Sequence, residues 1–218
     1  MARFDDGING PFRGKVGSVI GSKWRKVNYM KGLSRFKQRR PPSPDQALIR
    51  RKFSLLNDFL KPLSRILEIS FSQFTDKATG RNAAFSYNYD DAFIVEGADV
   101  RLNYQAIRLS HGSLVTAGAE RAWVDDRGVV HVTWNTKTYG MGGAPDDLAY
   151  VLVFDETHDM LHAPDGSTVR QDGQAQFTRL ERIESDPGGY HIWLFFTDHD
   201  KKRASKTVYI PIGDAPEN

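Results

Sequence analysis

"WVDDRGVVHVTW", residues 123–134, contains two short runs in which apolar and polar residues alternate, with Asp125-Asp126-Arg127-Gly128 between them. Alternation with a period of two is typical of a β-strand with one buried face. Glycine can supply the positive φ that a tight hairpin turn requires. The stretch therefore predicts a β-hairpin.

Similar runs lie on both sides of this hairpin. Two strands are predicted at residues 100–104 and 106–109, before a longer series with turn residues between its members. Seven short strands at such spacing predict a β-sandwich. The seven runs lie at residues 121–124, 129–134, 149–155, 160–162, 174–180, 190–197 and 205–210.

Residues 114–213 resemble a fibronectin type III domain. The resemblance rests on Trp134 at the end of the second strand, Tyr150 opening the third, Tyr190 opening the sixth, and the closing strand "SKTVYIPI". Leu180 and Tyr190 resemble the corner in which a tyrosine hydroxyl holds the preceding loop in place. The spacing between these two residues is longer than is usual for this corner. The resemblance implies an immunoglobulin-like β-sandwich.

A helix start is encoded in Ser43-Pro44-Asp45-Gln46, with Ser43 as N-cap, Pro44 at the first helical position and Gln46 completing a capping box. Pro62 interrupts the segment and predicts two helices, about 44–60 and 62–70. An apolar stripe at steps of four and three is expected to pack on a sheet or on another copy of the chain. It consists of Ile49, Phe53, Leu56, Leu60, Leu63 and Leu67.

Aromatic residues alternate in "AAFSYNYDDAF", residues 83–93, and this spacing predicts the core of a β-strand rather than a ligand site. We therefore expect a mainly β protein with helices. Its three parts are an extended Gly-rich basic arm (1–43), a kinked helix with a connecting segment (44–98), and the sandwich (99–218).

Six short motifs resemble an uncharacterised bacterial family, mostly of Bacteroidota, whose domain has no known function. In chain order they are "GPFRGKVGSVIGSKWR", "YMKG", "FLKPL", "NAAFSYN", "LSHGSL" and "VTW". The resemblance covers nearly the whole chain. It implies no activity, cofactor or catalytic residue.

The composition narrows the classes of function. The 218 residues contain no cysteine, which removes disulfides, thiolate catalysis and Cys-ligated metals. No apolar run approaches the roughly 18 residues of a membrane span, and residues 1–10 have no signal-peptide pattern. We expect a protein of the cytoplasm or of a virion interior, without membrane contact.

Charge is divided unevenly along the chain. Residues 1–60 carry 14 Lys or Arg against 4 Asp, whereas the remainder carries 16 basic against 23 acidic residues. Such asymmetry indicates a basic arm that meets a polyanion or an acidic surface. The acidic part of a neighbouring copy is one such surface.

"GINGPFRGKVGSVIGSKWRKVNYMKG", residues 7–32, spaces five glycines at steps of three and four. Each Gly costs a helix about 1 kcal/mol relative to Ala, so extended hairpin-like structure is expected. The segment is a poor match to a P-loop, which needs four residues between its first Gly and its Gly-Lys pair and a Ser or Thr after the Lys. The segment either docks on another subunit or folds back on its own sandwich. The candidate partner-binding or polyanion-binding residues are Arg13, Lys15, Lys23, Trp24, Arg25, Lys26, Lys31, Arg35, Lys37, Arg39 and Arg40.

Catalysis is the least supported class. His158 and His162 could ligate a metal if they lay on one face of a helix. The surrounding sequence "VFDETHDMLHAPDG" instead predicts a strand, a turn and a second strand, which would separate the two imidazoles. Asp146 and Asp147, in the loop 138–147, could bind a cation weakly or simply keep the loop soluble. No nucleophile elbow occurs. The sequence predicts no enzyme, no cofactor and no metal.

The favoured function is a structural or scaffold protein that self-assembles through its N-terminal arm and helix, with a phage-derived virion component as one form. A cytoplasmic protein that binds nucleic acid through the basic arm, without sequence preference, is an alternative. A surface or carbohydrate-binding module, using Tyr139 and neighbouring glycines of the loop 138–147, is another.

Overall fold

The computed structural model describes residues 3–4, 10–24, 26–33, 41–76, 78–97, 99–138, 142–163, 167–177 and 189–214. Over these residues the fold is mainly β, with several antiparallel sheets and three α-helices. No helix in these ranges is long and apolar enough to cross a membrane.

The N-terminal sheet is a four-stranded antiparallel meander in the order β1-β2-β3-β4. Its strands are β1 (Arg3–Phe4), β2 (Phe12–Val16), β3 (Val19–Trp24) and β4 (Val27–Gly32). The extended, hairpin-like conformation expected for the glycine-rich segment is confirmed.

Three helices follow: α1 (Pro44–Leu60), α2 (Ser64–Ser70) and α3 (Gly80–Asn88). The capping box of Ser43 and Gln46 is formed, and α1 begins at the predicted residue. The helical segment divides near Pro62 because proline cannot donate the backbone hydrogen bond that would continue the helix. A hairpin of β5 (Phe93–Glu96) and β6 (Asp99–Leu102) follows α3.

Two antiparallel sheets form the C-terminal sandwich. The outer sheet has the order β11-β8-β7 and the central sheet the order β10-β9-β12-β13. All seven predicted strands are present, with shifts of a few residues at the ends that the structure describes; residues 178–180, including Leu180 of the predicted tyrosine corner, lie outside the described residues. The strands are β7 (Arg121–Val124), β8 (Val130–Thr133), β9 (Leu148–Asp155), β10 (Met160–His162), β11 (Gln174–Phe177), β12 (Tyr190–Thr197) and β13 (Val208–Ile210).

The central sheet is covered on both faces, which makes the body three layers thick. One face of β9 and β12 packs against the outer sheet, with Val132, Trp134 and Val151 in that core. The other face packs against the helices, with Leu60 and Phe195 in that core. Burial on both faces explains why β9 and β12 are nearly continuous apolar runs.

Two sequence predictions are wrong. Residues 83–93 are not the core of a strand, because α3 occupies Gly80–Asn88. Thr79 caps this helix through the backbone N–H of Asn82, and its aromatic side chains spread over the helix surface. The predicted strand at 106–109 is also absent, since turns occupy residues 104–106 and irregular backbone follows.

Candidate functional site

The N-terminal sheet is the first candidate site, and its turns depend on glycine. Gly17 has a φ of 55° in the two-residue loop between β2 and β3, where the pairing of Val16 with Val19 closes a tight hairpin. A Cβ at Gly21 would overlap the Phe12 carbonyl oxygen and ring. Gly21 therefore lets the start of β2 fold tightly over the sheet.

One face of this sheet combines lysines with exposed aromatic rings. Ile20 pairs with Lys15 on one side and Lys31 on the other, so these three side chains form a row across the sheet. Two and four residues further along β3, the same face carries the pairs Ser22–Tyr29 and Trp24–Val27. We call this the lysine–aromatic face, defined by Lys15, Ile20, Trp24, Val27, Tyr29 and Lys31.

The opposite face is apolar and rich in glycine. Val16 pairs with Val19, and Met30 pairs with Gly21, which Phe12 covers. Lys23 also points to this side, opposite Asn28. Met30 is 71% exposed, so most of this face beyond Phe12 is uncovered.

Apolar side chains of this sheet stay in contact with water. Residues 10–24 and 26–33 contribute no side chain to either hydrophobic core, and Gly21 is their only buried residue. Six apolar residues of the segment are between 40% and 71% exposed: Val16, Trp24, Val27, Tyr29, Met30 and Leu33.

The predicted partner-binding residues fall into four groups. Lys15, Trp24 and Lys31 lie on the lysine–aromatic face, whereas Lys23 lies on the apolar face. Arg13, in β2, and Lys26, in the loop between β3 and β4, are exposed. Five predicted residues lie outside the described residues: Arg25, Arg35, Lys37, Arg39 and Arg40.

The apolar stripe of α1 is a second surface that is only partly covered. Its C-terminal half, including Leu56 and Leu60, is buried in the helical core. Ile49 and Phe53, in the N-terminal half, are 54% and 55% exposed. The Phe53 ring lies 4.8 Å from the ring of Phe85, at a shallow depression that Ser86, Tyr89 and Asp90 complete.

The histidines considered for metal binding take different positions. His158 lies in the turn after β9, where its Nδ1 is 2.8 Å from a carboxylate oxygen of Asp155. His162 lies in β10, so the predicted separation by turn and strand is confirmed. Among the described residues, no group of three or more His, Cys, Asp or Glu is arranged to hold a metal.

The interpretation of Asp147 as a solvent-exposed loop residue is wrong. Its side chain is buried and accepts a hydrogen bond from Nε of the fully buried Arg170 at 3.1 Å. Asp146, beside it, is exposed as expected. Tyr139, on which the carbohydrate-binding alternative relied, lies outside the described residues.

Sequence reasoning also missed a pocket between α1 and the central sheet. Its lining comes from three separated parts of the chain, including Asp58, Tyr104 and Asp159. No motif joins these residues, and only the packing of α1 on the sheet brings them together. The local sequence therefore carries no signal for this pocket.

Comparison with known proteins places the chain in a family. A family model described as "Family of unknown function (DUF6266)" matches residues 11–211. This match covers most of the chain and confirms the predicted membership of an uncharacterised domain family. No curated protein matches the chain.

Proposed function

We propose a non-enzymatic structural role for this chain, which belongs to the DUF6266 family of unknown function. In this role, copies assemble through the N-terminal sheet and the exposed half of α1. One observation carries the proposal: the described residues of the segment 10–33 hold six exposed apolar side chains, five of them in the N-terminal sheet, and add nothing to the cores of their own chain.

Exposed apolar area favours association because burial contributes about 25 cal/mol per Å² removed from water. Small sheets also gain stability when a partner covers their hydrophobic face. The apolar face offers Val16, Val19 and Met30 to such a partner, and its glycines permit close backbone approach. The exposed Ile49 and Phe53 of α1 supply a second apolar surface.

We further infer that the sandwich is of the fibronectin type III kind. The first, second and fifth strands of the sandwich share the outer sheet, and the other four share the central sheet. Trp134 is buried between the sheets, and its indole N–H donates to the Arg170 carbonyl oxygen. A Bacteroidota source and a virion or cytoplasmic setting remain parts of the proposal that rest on resemblance and composition.

Nucleic-acid binding is the second candidate, and the lysine–aromatic face favours it. Lys15 and Lys31 could neutralise phosphates while Trp24 and Tyr29 stack on bases. Binding through phosphates weakens steeply with salt, with a slope of about −0.7 per neutralised phosphate for a single strand. Association through apolar area does not weaken in this way.

The test is the mass of the particle in solution, measured by light scattering over a range of protein concentrations and at low and high salt. We expect the full chain to form a multimer that persists at high salt. A chain starting at Pro41 and the variant Met30→Glu should both shift toward the monomer. Val95→Glu is the matched control, because Val95 is also exposed but lies in β5, outside the N-terminal sheet.

Two outcomes contradict assembly through the sheet. One is a full chain that is monomeric at every concentration. The other is equal association of the full chain and the chain lacking residues 1–40. Salt-sensitive binding of an oligothymidine, abolished by Lys15→Gln with Lys31→Gln, would favour the second candidate instead.

A further inference from the structure

The pocket between α1 and the central sheet combines aromatic walls with carboxylates. It has a volume of about 310 Å³. The apolar walls come from α1, from Pro62, from the segment 102–104 and from β9 and β10. The lining residues are Leu55, Asp58, Phe59, Pro62, Leu102, Tyr104, Phe154, Asp159 and Leu161.

Both carboxylates of the pocket lack a cationic partner among the described residues. Asp58 accepts a hydrogen bond from the Ser54 hydroxyl at 3.0 Å and forms no ion pair with the described part of the chain. Asp159 is exposed in the turn between β9 and β10, with a φ of 51°. No Lys or Arg belongs to the lining. The pocket therefore presents net negative charge beside an apolar floor.

Aromatic rings form one side of the pocket. The Tyr104 ring lies 5.7 Å from Phe59 and 5.3 Å from Phe154, between ring centroids. Burial and the nearby charges of Glu156 and Asp159 raise the pKa of Tyr104 to about 12. The phenol stays protonated, mainly because it is buried, and the two nearby carboxylates add to this effect.

We propose that this pocket receives a lysine side chain from the N-terminal sheet of a second copy of the chain. The inference rests on the proposed self-assembly and identifies the receiving surface. A lysine fits because its apolar stem can lie along aromatic walls while its ammonium meets the carboxylates and the ring faces. Among the described residues no arginine, histidine or lysine belongs to the lining, and His191 lies beside it, stacked on Tyr104 at 4.2 Å between ring centroids with its Nε2 3.2 Å from Glu156.

The charge division of the chain supports this choice of occupant. Basic residues outnumber acidic ones 14 to 4 in residues 1–60, which include Asp58, whereas acidic residues dominate the rest, which includes Asp159. The described N-terminal sheet offers four exposed lysines: Lys15, Lys23, Lys26 and Lys31. Lys26 is the best placed, because it lies in the hairpin loop between β3 and β4. A side chain at the tip of a hairpin can enter the pocket without the strands themselves having to fit inside it.

The contact joins two different surfaces, a sheet on one copy and a pocket on the next, so it is made either reciprocally in a two-fold dimer or heterologously, head to tail. Heterologous contacts produce rings when the rotation closes and open chains when it does not. A subunit that lacks only the pocket can still donate its sheet, and a subunit that lacks only the lysines can still receive one. When the two variants are mixed, the intact sheet of one can therefore bind the intact pocket of the other. The resulting dimer has no further intact pair of surfaces and cannot extend.

The experiment compares full-length variants by light scattering. Asp58→Asn with Asp159→Asn removes the two charges while keeping side-chain size, and asparagine tolerates the left-handed conformation of Asp159. We expect the association constant to fall at least tenfold. Asp76→Asn with Asp126→Asn is the control, because it removes two exposed carboxylates outside the pocket lining and should leave association unchanged. Equal thermal midpoints would show that both variants fold.

Two further measurements identify the occupant. The pocket variant is mixed with a variant in which all four lysines are glutamine, and a one-to-one dimer is expected. Carbodiimide treatment of mixed ¹⁵N and ¹⁴N wild-type chains should join Asp58 or Asp159 to a lysine of the N-terminal sheet in peptides of mixed label. Cross-links within one label only would show that the chain's own sheet fills the pocket, and would overturn the proposal.

The outcomes separate this inference from the proposed function. Wild-type assembly with an unaffected pocket variant overturns the role of the pocket and leaves self-assembly standing. A monomeric wild type overturns both. Assembly that is lost equally in the pocket variant and in the control variant would also count against the pocket, because a general charge effect would then explain the loss.

Discussion

Replacing Asp147 by asparagine should destabilise the sandwich strongly. The Arg170 guanidinium is fully buried, and Asp147 is the carboxylate that pairs with it. Asparagine keeps an oxygen that can accept from Arg170 Nε and from the Ala144 backbone N–H, as Asp147 does. The substitution therefore removes the charge and little else. Burial lowers the pKa of Arg170 and Asp147 opposes that shift, so the loss of Asp147 leaves the buried cation without compensation.

The magnitude follows from the remaining contacts of Arg170. Breaking a buried ion pair by removing one partner costs about 3–5 kcal/mol. The guanidinium retains a 2.9 Å hydrogen bond to the Val115 carbonyl oxygen and lies 3.9 Å from the centroid of the Phe196 ring. These contacts place the expected loss near the lower end, at about 3 kcal/mol. Such a loss is a large share of the typical 5–15 kcal/mol stability of a protein.

Urea unfolding followed by tryptophan fluorescence measures this loss, because Trp134 and Trp193 are buried in the two cores. Asp146→Asn is the matched control, and its exposed carboxylate should matter by no more than about 0.5 kcal/mol. Replacing Asp147 by asparagine and Arg170 by methionine together should recover part of the loss, since no buried charge then remains. A difference below about 1 kcal/mol between Asp147→Asn and wild type would refute the argument.

Two further predictions concern a buried leucine of α1 and a buried carboxylate of β9. Leu60→Ala should lower the free energy of unfolding by about 2–5 kcal/mol, because Leu60 is fully buried, whereas Ile49→Ala should change it by no more than about 0.5 kcal/mol. Equal losses in urea unfolding would contradict this division of the α1 stripe. Burial acts to raise the pKa of Asp155, but hydrogen bonds from His158 and Thr157 lower it below 3.8. Protonation then favours the unfolded chain, so the stability advantage over Asp155→Asn should be complete above about pH 5 and decline as pH falls below 3.8. Thermal unfolding at several pH values checks this, and a constant difference would contradict it.

Local chemistry explains which elements were predictable. The start of α1 depends on Ser43, Pro44 and Gln46, which are adjacent in sequence and satisfy the first helical N–H groups themselves. The hairpin of β7 and β8 likewise depends on Asp125 and Gly128, within one turn. These elements can be read from a few neighbouring residues because their stabilising contacts are local.

The sequence pattern did not predict helix α3, because its aromatic spacing is compatible with both a strand and a helix. Phe85, Tyr87 and Tyr89 alternate, as they would on one face of a strand. What fixes the helix includes a tertiary contact: the buried Asn88 amide donates to the carbonyl oxygens of Ala84 and Arg108. Arg108 is 20 residues away, so a local pattern could not include it.

The candidate sites were only partly predictable for the same reason. The basic and glycine-rich character of the N-terminal segment follows from composition, and the sheet register then assigns Lys15 and Lys31 to one face and Lys23 to the other. The pocket and the Asp147–Arg170 pair each join distant residues through packing. A single sequence gives no measure of such contacts.

The division of the α1 stripe links the fold to the proposed assembly. Ile49 and Phe53 continue the same helical face as Leu56 and Leu60, so the helix is amphipathic beyond the length that its own core covers. Isolated exposed apolar residues are ordinary, but these two extend a buried stripe, and the Phe53 ring adjoins the Phe85 ring. A covering surface on another molecule would complete the stripe. The exposed apolar residues of the N-terminal sheet are the part of the described chain best suited to that role, because no core of the same chain uses them.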